Sequence, residues 1–102
     1  MRITVSYLSD QITTEYMLPD GVEGTIDIKQ GEGLDGNIVL IIIQIAERAL
    51  NSAASIAAIA SFIYMITCDK RKVKTVIEGN LVPEPTTKAM IQQQITQRKK
   101  DE

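Results

Sequence analysis

Residues Gly31 to Gly36, GEGLDG, follow the spacing G-x-G-x-x-G and lie between TIDIKQ and the apolar run NIVLIIIQIAERAL. At a strand-to-helix junction that spacing can hold a dinucleotide: glycines let the backbone close on a pyrophosphate, and the N–H groups of the helix N-terminus bind it. The chemistry requires a strand buried on both faces, a loop free of negative charge near the phosphates, and an acid about 20 positions later for the ribose. TIDIKQ alternates instead, Glu32 and Asp35 sit inside the loop where they would repel phosphate, and the nearest strand-end acid, Glu78, comes about 42 residues after Gly36. GEGLDG therefore reads as a flexible connection, with Asp35 or Asn37 capping the helix expected after it.

Other reactive groups are sparse. The chain has no histidine, so the usual general base near neutral pH and the commonest metal ligand are both missing. Its one cysteine, Cys68, stands beside Asp69 and Lys70, where positive charge could activate a thiol; the plainer reading is a small hydrophobe closing an apolar helix face. A single cysteine makes no internal disulfide or cysteine metal cluster, which fits a reducing compartment. No triad spacing and no metal-loop cluster of carboxylates is present. We therefore expect no catalytic residue, no metal and no cofactor, and a chain that is not an enzyme.

The 102 residues suffice for one domain with a modest core, and are too few for a doubly wound sheet with a second substrate domain. Hydrophobic residues form 44% of the chain but aromatics only 4%, so the core must be built from Ile, Ala, Val and Leu. RITVSYL, residues 2–8, alternates Ile3, Val5 and Tyr7 against Thr4 and Ser6, the period of a half-buried strand. Ser9 or Asp10 can cap a short helix through QITTEYML, ended by Pro19-Asp20-Gly21. A strand across the same residues competes, because Ile12, Thr14, Tyr16 and Leu18 also alternate. GTIDIKQ reads as a strand with one wet face, and KVKTVIEG as another, stopped by Gly79-Asn80. Pro83 and Pro85 mark a linker. Beyond it a polar helix from Thr86 or Thr87 carries Met90, Ile91 and Ile95 on one side, a thin stripe suited to docking.

Between these strands, Asn37 to Cys68 contains neither proline nor glycine and predicts one helix of about 32 residues, close to 48 Å long. Gln44, Glu47 or Arg48, Asn51 and Ser55 fall three or four apart as a polar stripe, whereas Ile56 to Ile66 is apolar on nearly every side. The uncharged run Ala49 to Cys68 has the length of a membrane span, and Lys70, Arg71, Lys72 and Lys74 follow it where a cytoplasmic flank would lie. Its six alanines add almost no transfer energy, and Asn51, three serines and Thr67 oppose insertion. The one-sided strands also need an apolar partner. The leading expectation is thus a cytoplasmic protein; the alternative is a single-pass inner-membrane protein with its C-terminus in the cytoplasm. The opening MRITVSYLSDQ lacks the continuous apolar stretch of a secretory signal.

Charge is distributed unevenly: residues 1–37 carry two basic and seven acidic groups, residues 69–102 eight basic and five acidic. No aromatic is interleaved with the C-terminal lysines, so base stacking has no platform and nucleic acid is not expected as a partner.

The order strand, short helix, strand, Gly-rich joint, long Ala- and Ile-rich helix, basic cluster, strand resembles the effector-associated constant component domains of bacterial conflict systems. The resemblance covers roughly residues 2–82 and rests on GTIDIKQGEGLDG leading into IVLIIIQIAERALNSAASIAAIASFIYMITCDKRKVKTVIEGN. The tryptophan such domains carry near the helix end is absent, with Phe62 or Tyr64 at that place. The resemblance implies a non-catalytic adaptor that couples a sensor to an effector through protein contacts. The expectation is then an α+β fold over residues 1–82, with about three strands packed on one long central helix and short flanking helices, followed by a linker and polar helix or tail over 83–102. Its expected work is protein–protein interaction, including self-association, through Gln44, Glu47, Arg48, Asn51, Ser55, Met90, Ile91 and Ile95.

Overall fold

The computed structural model describes residues 1–9, 16–33, 36–68, 70–84 and 86–100. Its strands are β1 (Arg2–Leu8), β2 (Gly24–Gly33), β3 (Gly36–Ile45), β4 (Arg71–Ile77) and β5 (Asn80–Leu81); its helices are α1 (Ala53–Thr67) and α2 (Lys88–Lys100), with a 3-10 turn at Glu47–Leu50. The strands form one antiparallel sheet in the order β2-β3-β1-β4-β5. This corrects the expected three-stranded sheet on one long central helix.

The correction lies in Asn37 to Cys68. NIVLIIIQI forms the inner strand β3, paired along its length with β1 on one side and β2 on the other. Six of its nine residues are Ile or Val, which lose χ1 freedom in a helix and pack well on a pleated surface. The segment reads as helix because both faces of the strand are apolar, which hides the two-residue period. The helix begins only at Ala53, where the Ser52 hydroxyl accepts the Ser55 N–H at 3.0 Å. It runs 15 residues, and among the described residues no helix is long and apolar enough to cross a membrane. The expected span Ala49 to Cys68 is instead the end of a turn followed by a helix packed on the sheet.

Gly31 to Gly33 end β2 and Gly36 begins β3, with Gly33 paired to Gly36 in the antiparallel register. Among the described residues the segment is followed by strand and no helix starts at those glycines, so the expected strand-to-helix junction is not formed. Leu34 and Asp35 lie outside the described residues, as do residues 10–15, which hold most of the expected short helix; Tyr16 to Pro19 has no regular structure.

One face of the sheet is covered. Ile3, Val5 and Tyr7 of β1, Val39, Ile41, Ile43 and Ile45 of β3, and Thr75 and Ile77 of β4 are buried there. Ile56, Ile59, Ala60, Ile63 and Ile66 of α1 join them in one core with Ile91 and Ile95 of α2. Each fully buried Ile contributes roughly 1.5–3 kcal/mol. Phe62 meets Tyr16 edge to face, with ring centroids 6.3 Å apart, and the Tyr16 and Tyr7 hydroxyls lie 3.4 Å from each other. The thin stripe of α2 therefore completes the core, packing chiefly against α1.

Two glycines are fixed by geometry. At Gly24 a Cβ would overlap the backbone carbonyl oxygen of Gln44, so the start of β2 can approach β3 only without a side chain. Glu78 and Gly79, both at positive φ (49° and 80°), form the tight turn between β4 and β5. Glu78 tolerates this conformation while its Oε1 accepts the Arg2 N–H at 3.0 Å and the Asn80 side chain donates to its carbonyl.

Candidate functional site

Since successive strand residues point to opposite faces, the register that buries Ile3, Val5, Ile41 and Ile43 turns their neighbours the other way. The second face therefore carries Arg2, Thr4, Ser6 and Leu8 from β1, Ile38, Leu40, Ile42 and Gln44 from β3, Thr25, Asp27 and Lys29 from β2, and Lys74 and Val76 from β4. Both helices lie on the opposite side, and among the described residues no element covers this face.

Its centre is apolar. Ile38, Leu40 and Ile42 form a row along β3, shielded only by one another and by strand neighbours, so each is half-buried. Leu8 stands opposite Ile38, Val76 opposite Thr4, and Leu81, 61% exposed, opposite Val76. Arg2, Lys29 and Lys74 edge the patch together with Asp27; Lys29 Nζ and Asp27 Oδ2 are 3.9 Å apart and both side chains are well exposed. A clustered apolar centre inside a charged rim is the composition of a protein-binding surface.

The residues expected to bind a partner are scattered by the fold. Gln44 is exposed on the open face at one end of the apolar row, and Glu47 and Arg48 are exposed on the 3-10 turn. Arg48 spends its guanidinium on Glu23, with Nη2 and Nε each 2.7 Å from Oε2, tying the exit of β3 to the approach to β2. Asn51 ends that turn and is exposed, and half-buried Ser55 takes part in the N-cap of α1. These positions align only on a continuous helix, and the strand-to-turn-to-helix path separates them. Met90 is half-buried; Ile91 and Ile95 are fully buried against the rest of the core and present no surface. Sequence reasoning missed Leu40, Ile42 and Val76. The signal for them was present in the alternation of β1 and β4, whose wet-face residues identify the neighbouring β3 positions once pairing is known.

Cys68 is exposed at the end of α1, its N–H donating to Tyr64 O, so it does not close a buried helix face. Among the described residues no set of three or more His, Cys, Asp or Glu side chains is placed to hold a metal ion. A shallow depression between α1 and β4 is lined by Thr67, Lys70, Lys72, Val73, Glu84 and Thr86; Lys70 lies over the Tyr7 ring, 5.3 Å from its centroid. The chain matches no protein-family model, no curated protein and no solved structure.

Proposed function

We propose that this chain is a non-catalytic protein-interaction module whose docking surface is the open face of its sheet. The observation that carries the reading is the row Ile38, Leu40, Ile42, flanked by Leu8, Val76 and Leu81, on a face that neither helix covers. An antiparallel sheet with one solvated face ordinarily alternates apolar-in and polar-out; here the inner strand β3 is apolar on both sides. The rim of Arg2, Lys29 and Lys74 suits a protein partner whose own apolar patch is bordered by carboxylates. The resemblance to effector-associated domains names the partners to try first, a sensor and an effector of a bacterial conflict system, with this chain as the adaptor between them.

Leu40→Glu tests the reading. Position 40 lies opposite Lys29, so the new carboxylate has a cross-strand cation and the fold is expected to survive, as circular dichroism and thermal unfolding would show. The partner captured by the wild-type chain and identified by mass spectrometry should bind the purified variant at least tenfold more weakly in titration calorimetry. Equal affinity for both chains would remove the open face from the account.

A further inference from the structure

The sheet has two unequal edges. β5 is two residues long, whereas β2 runs for ten residues without proline, and among the described residues no strand lies beyond it. In an antiparallel pair each residue sends its N–H and C=O to the same side, and the side alternates along the strand. The Ala46 N–H donates to Glu23 O, so Glu23, and with it Thr25, Asp27, Lys29 and Gly31, turn their backbone groups toward β3. Gly24, Ile26, Ile28, Gln30 and Glu32 turn theirs outward. Ile26 and Ile28 are half-buried on the helix-covered side, and Asp27 and Lys29 are exposed on the open side.

We infer that the β2 edge is a self-association site, at which two copies pair their β2 strands antiparallel about a two-fold axis through Ile28 and join their sheets into one of ten strands. Hydrogen-bond parity lets outward residues face only outward residues, which leaves three central registers, with the axis at Asp27, at Ile28 or at Lys29. The first sets Asp27 against Asp27 and the last Lys29 against Lys29, and like charges directly opposite are destabilising. The middle register places Ile28 against Ile28 as a hydrogen-bonded pair. It then sets Asp27 against Lys29 twice, in the non-hydrogen-bonded positions where side chains approach most closely. Ile26 faces Gln30 and Gly24 faces Glu32. Charges on an edge strand usually block pairing. One acid and one base placed symmetrically about a central isoleucine instead make the edge complementary to itself, as an isologous dimer requires. Two open faces pressed together would oppose their predominantly basic rims, so the second copy belongs at the edge and the open face remains for another protein.

The inference rests on the reading of the chain as an interaction module but uses a different surface, so the two are tested separately. Sedimentation equilibrium of the full chain should show a monomer–dimer equilibrium. Asp27→Lys alone and Lys29→Asp alone should each weaken the dimer by roughly tenfold or more. An equal mixture of these two variants should restore it, and so should the double swap Asp27→Lys/Lys29→Asp, with circular dichroism verifying that every variant folds. In a Cys68→Ser background, Ile28→Cys should oxidise to a disulfide-linked dimer and Ile26→Cys should not, because only position 28 meets itself. A wild-type chain that stays monomeric at every concentration overturns the inference, as does a dimer indifferent to the charge variants. A dimer abolished by Leu40→Glu but unaffected by Asp27→Lys also overturns it, while leaving the open face as a binding surface.

Discussion

Ile41 and Ile42 are chemically identical neighbours with opposite positions in the fold, and truncating each in turn tests the placement of β3. Ile41 is fully buried between the sheet and the helices, whereas Ile42 is half-buried on the open face. Ile41→Ala removes buried methyl and methylene groups and leaves a cavity among Ile3, Val5, Ile43 and the α1 side chains, for a cost of about 3–4 kcal/mol. Ile42→Ala loses partial burial and some strand propensity, about 1 kcal/mol, with solvent free to occupy the vacated space. For a chain of this size each kcal/mol shifts Tm by roughly 4–8 °C. The first variant should therefore melt roughly 20 °C below wild type and the second about 6 °C below. Urea unfolding followed by circular dichroism measures both, and a total stability of roughly 5–15 kcal/mol leaves each variant folded in water. The difference between the two losses, at least about 2 kcal/mol, is the quantity that matters. Equal losses would mean that both residues share one environment, as on a helix buried all round, and would refute the strand and its open face together.

Three further outcomes follow from particular contacts. Ile95→Ala should cost about 2–5 kcal/mol in the same assay, because Ile95 is fully buried where α2 joins the core; a change below about 0.5 kcal/mol would show α2 undocked. Thr75→Val should stabilise the chain by about 1 kcal/mol, since the Thr75 hydroxyl is buried on the covered face of β4 with no hydrogen-bond partner among the described residues and valine supplies a methyl of similar shape; a lower Tm would show that the hydroxyl is satisfied. Gly79→Ala should destabilise by about 1 kcal/mol, as Gly79 has φ 80° with open space around it, so that the loss reads backbone strain alone; an unchanged Tm would place that turn elsewhere in φ/ψ space.

Strands β1, β2 and β4 were legible because each has one wet face. RITVSYL, GTIDIKQ and KVKTVIEG alternate, and each is a strand whose charged residues Arg2, Asp27, Lys29 and Lys74 lie on the open side. Helix α2 was legible at its start: the Thr87 hydroxyl accepts the Met90 N–H at 3.2 Å, as a threonine before a helix should. Its docking was not, because two isoleucines four apart look too few for burial until α1 and the sheet are seen to supply the remaining walls. The same holds for Ser52: an N-cap inside a run without proline or glycine carries little weight, yet here it separates a strand and turn from a helix. The polar stripe from Gln44 to Ser55 arose from reading that run as one helix, so the partner residues drawn from it inherited the same error of period.

What concealed β3 is also what makes it interesting. An inner strand in a sheet covered on one side needs apolar residues at every second position, and Val39, Ile41, Ile43 and Ile45 meet that need. Ile38, Leu40 and Ile42 are not required by the covered core; on stability alone threonine would serve in their place, as Thr4 does one strand away. Their apolar character removes the alternation by which a strand is recognised, and it places on the surface a cluster that water does not favour. Contiguous exposed apolar residues ringed by charge are the ordinary mark of a surface that another protein covers. The ambiguity of NIVLIIIQI in sequence and the proposed docking face thus have one physical origin, a strand with two apolar sides in a fold that covers only one of them.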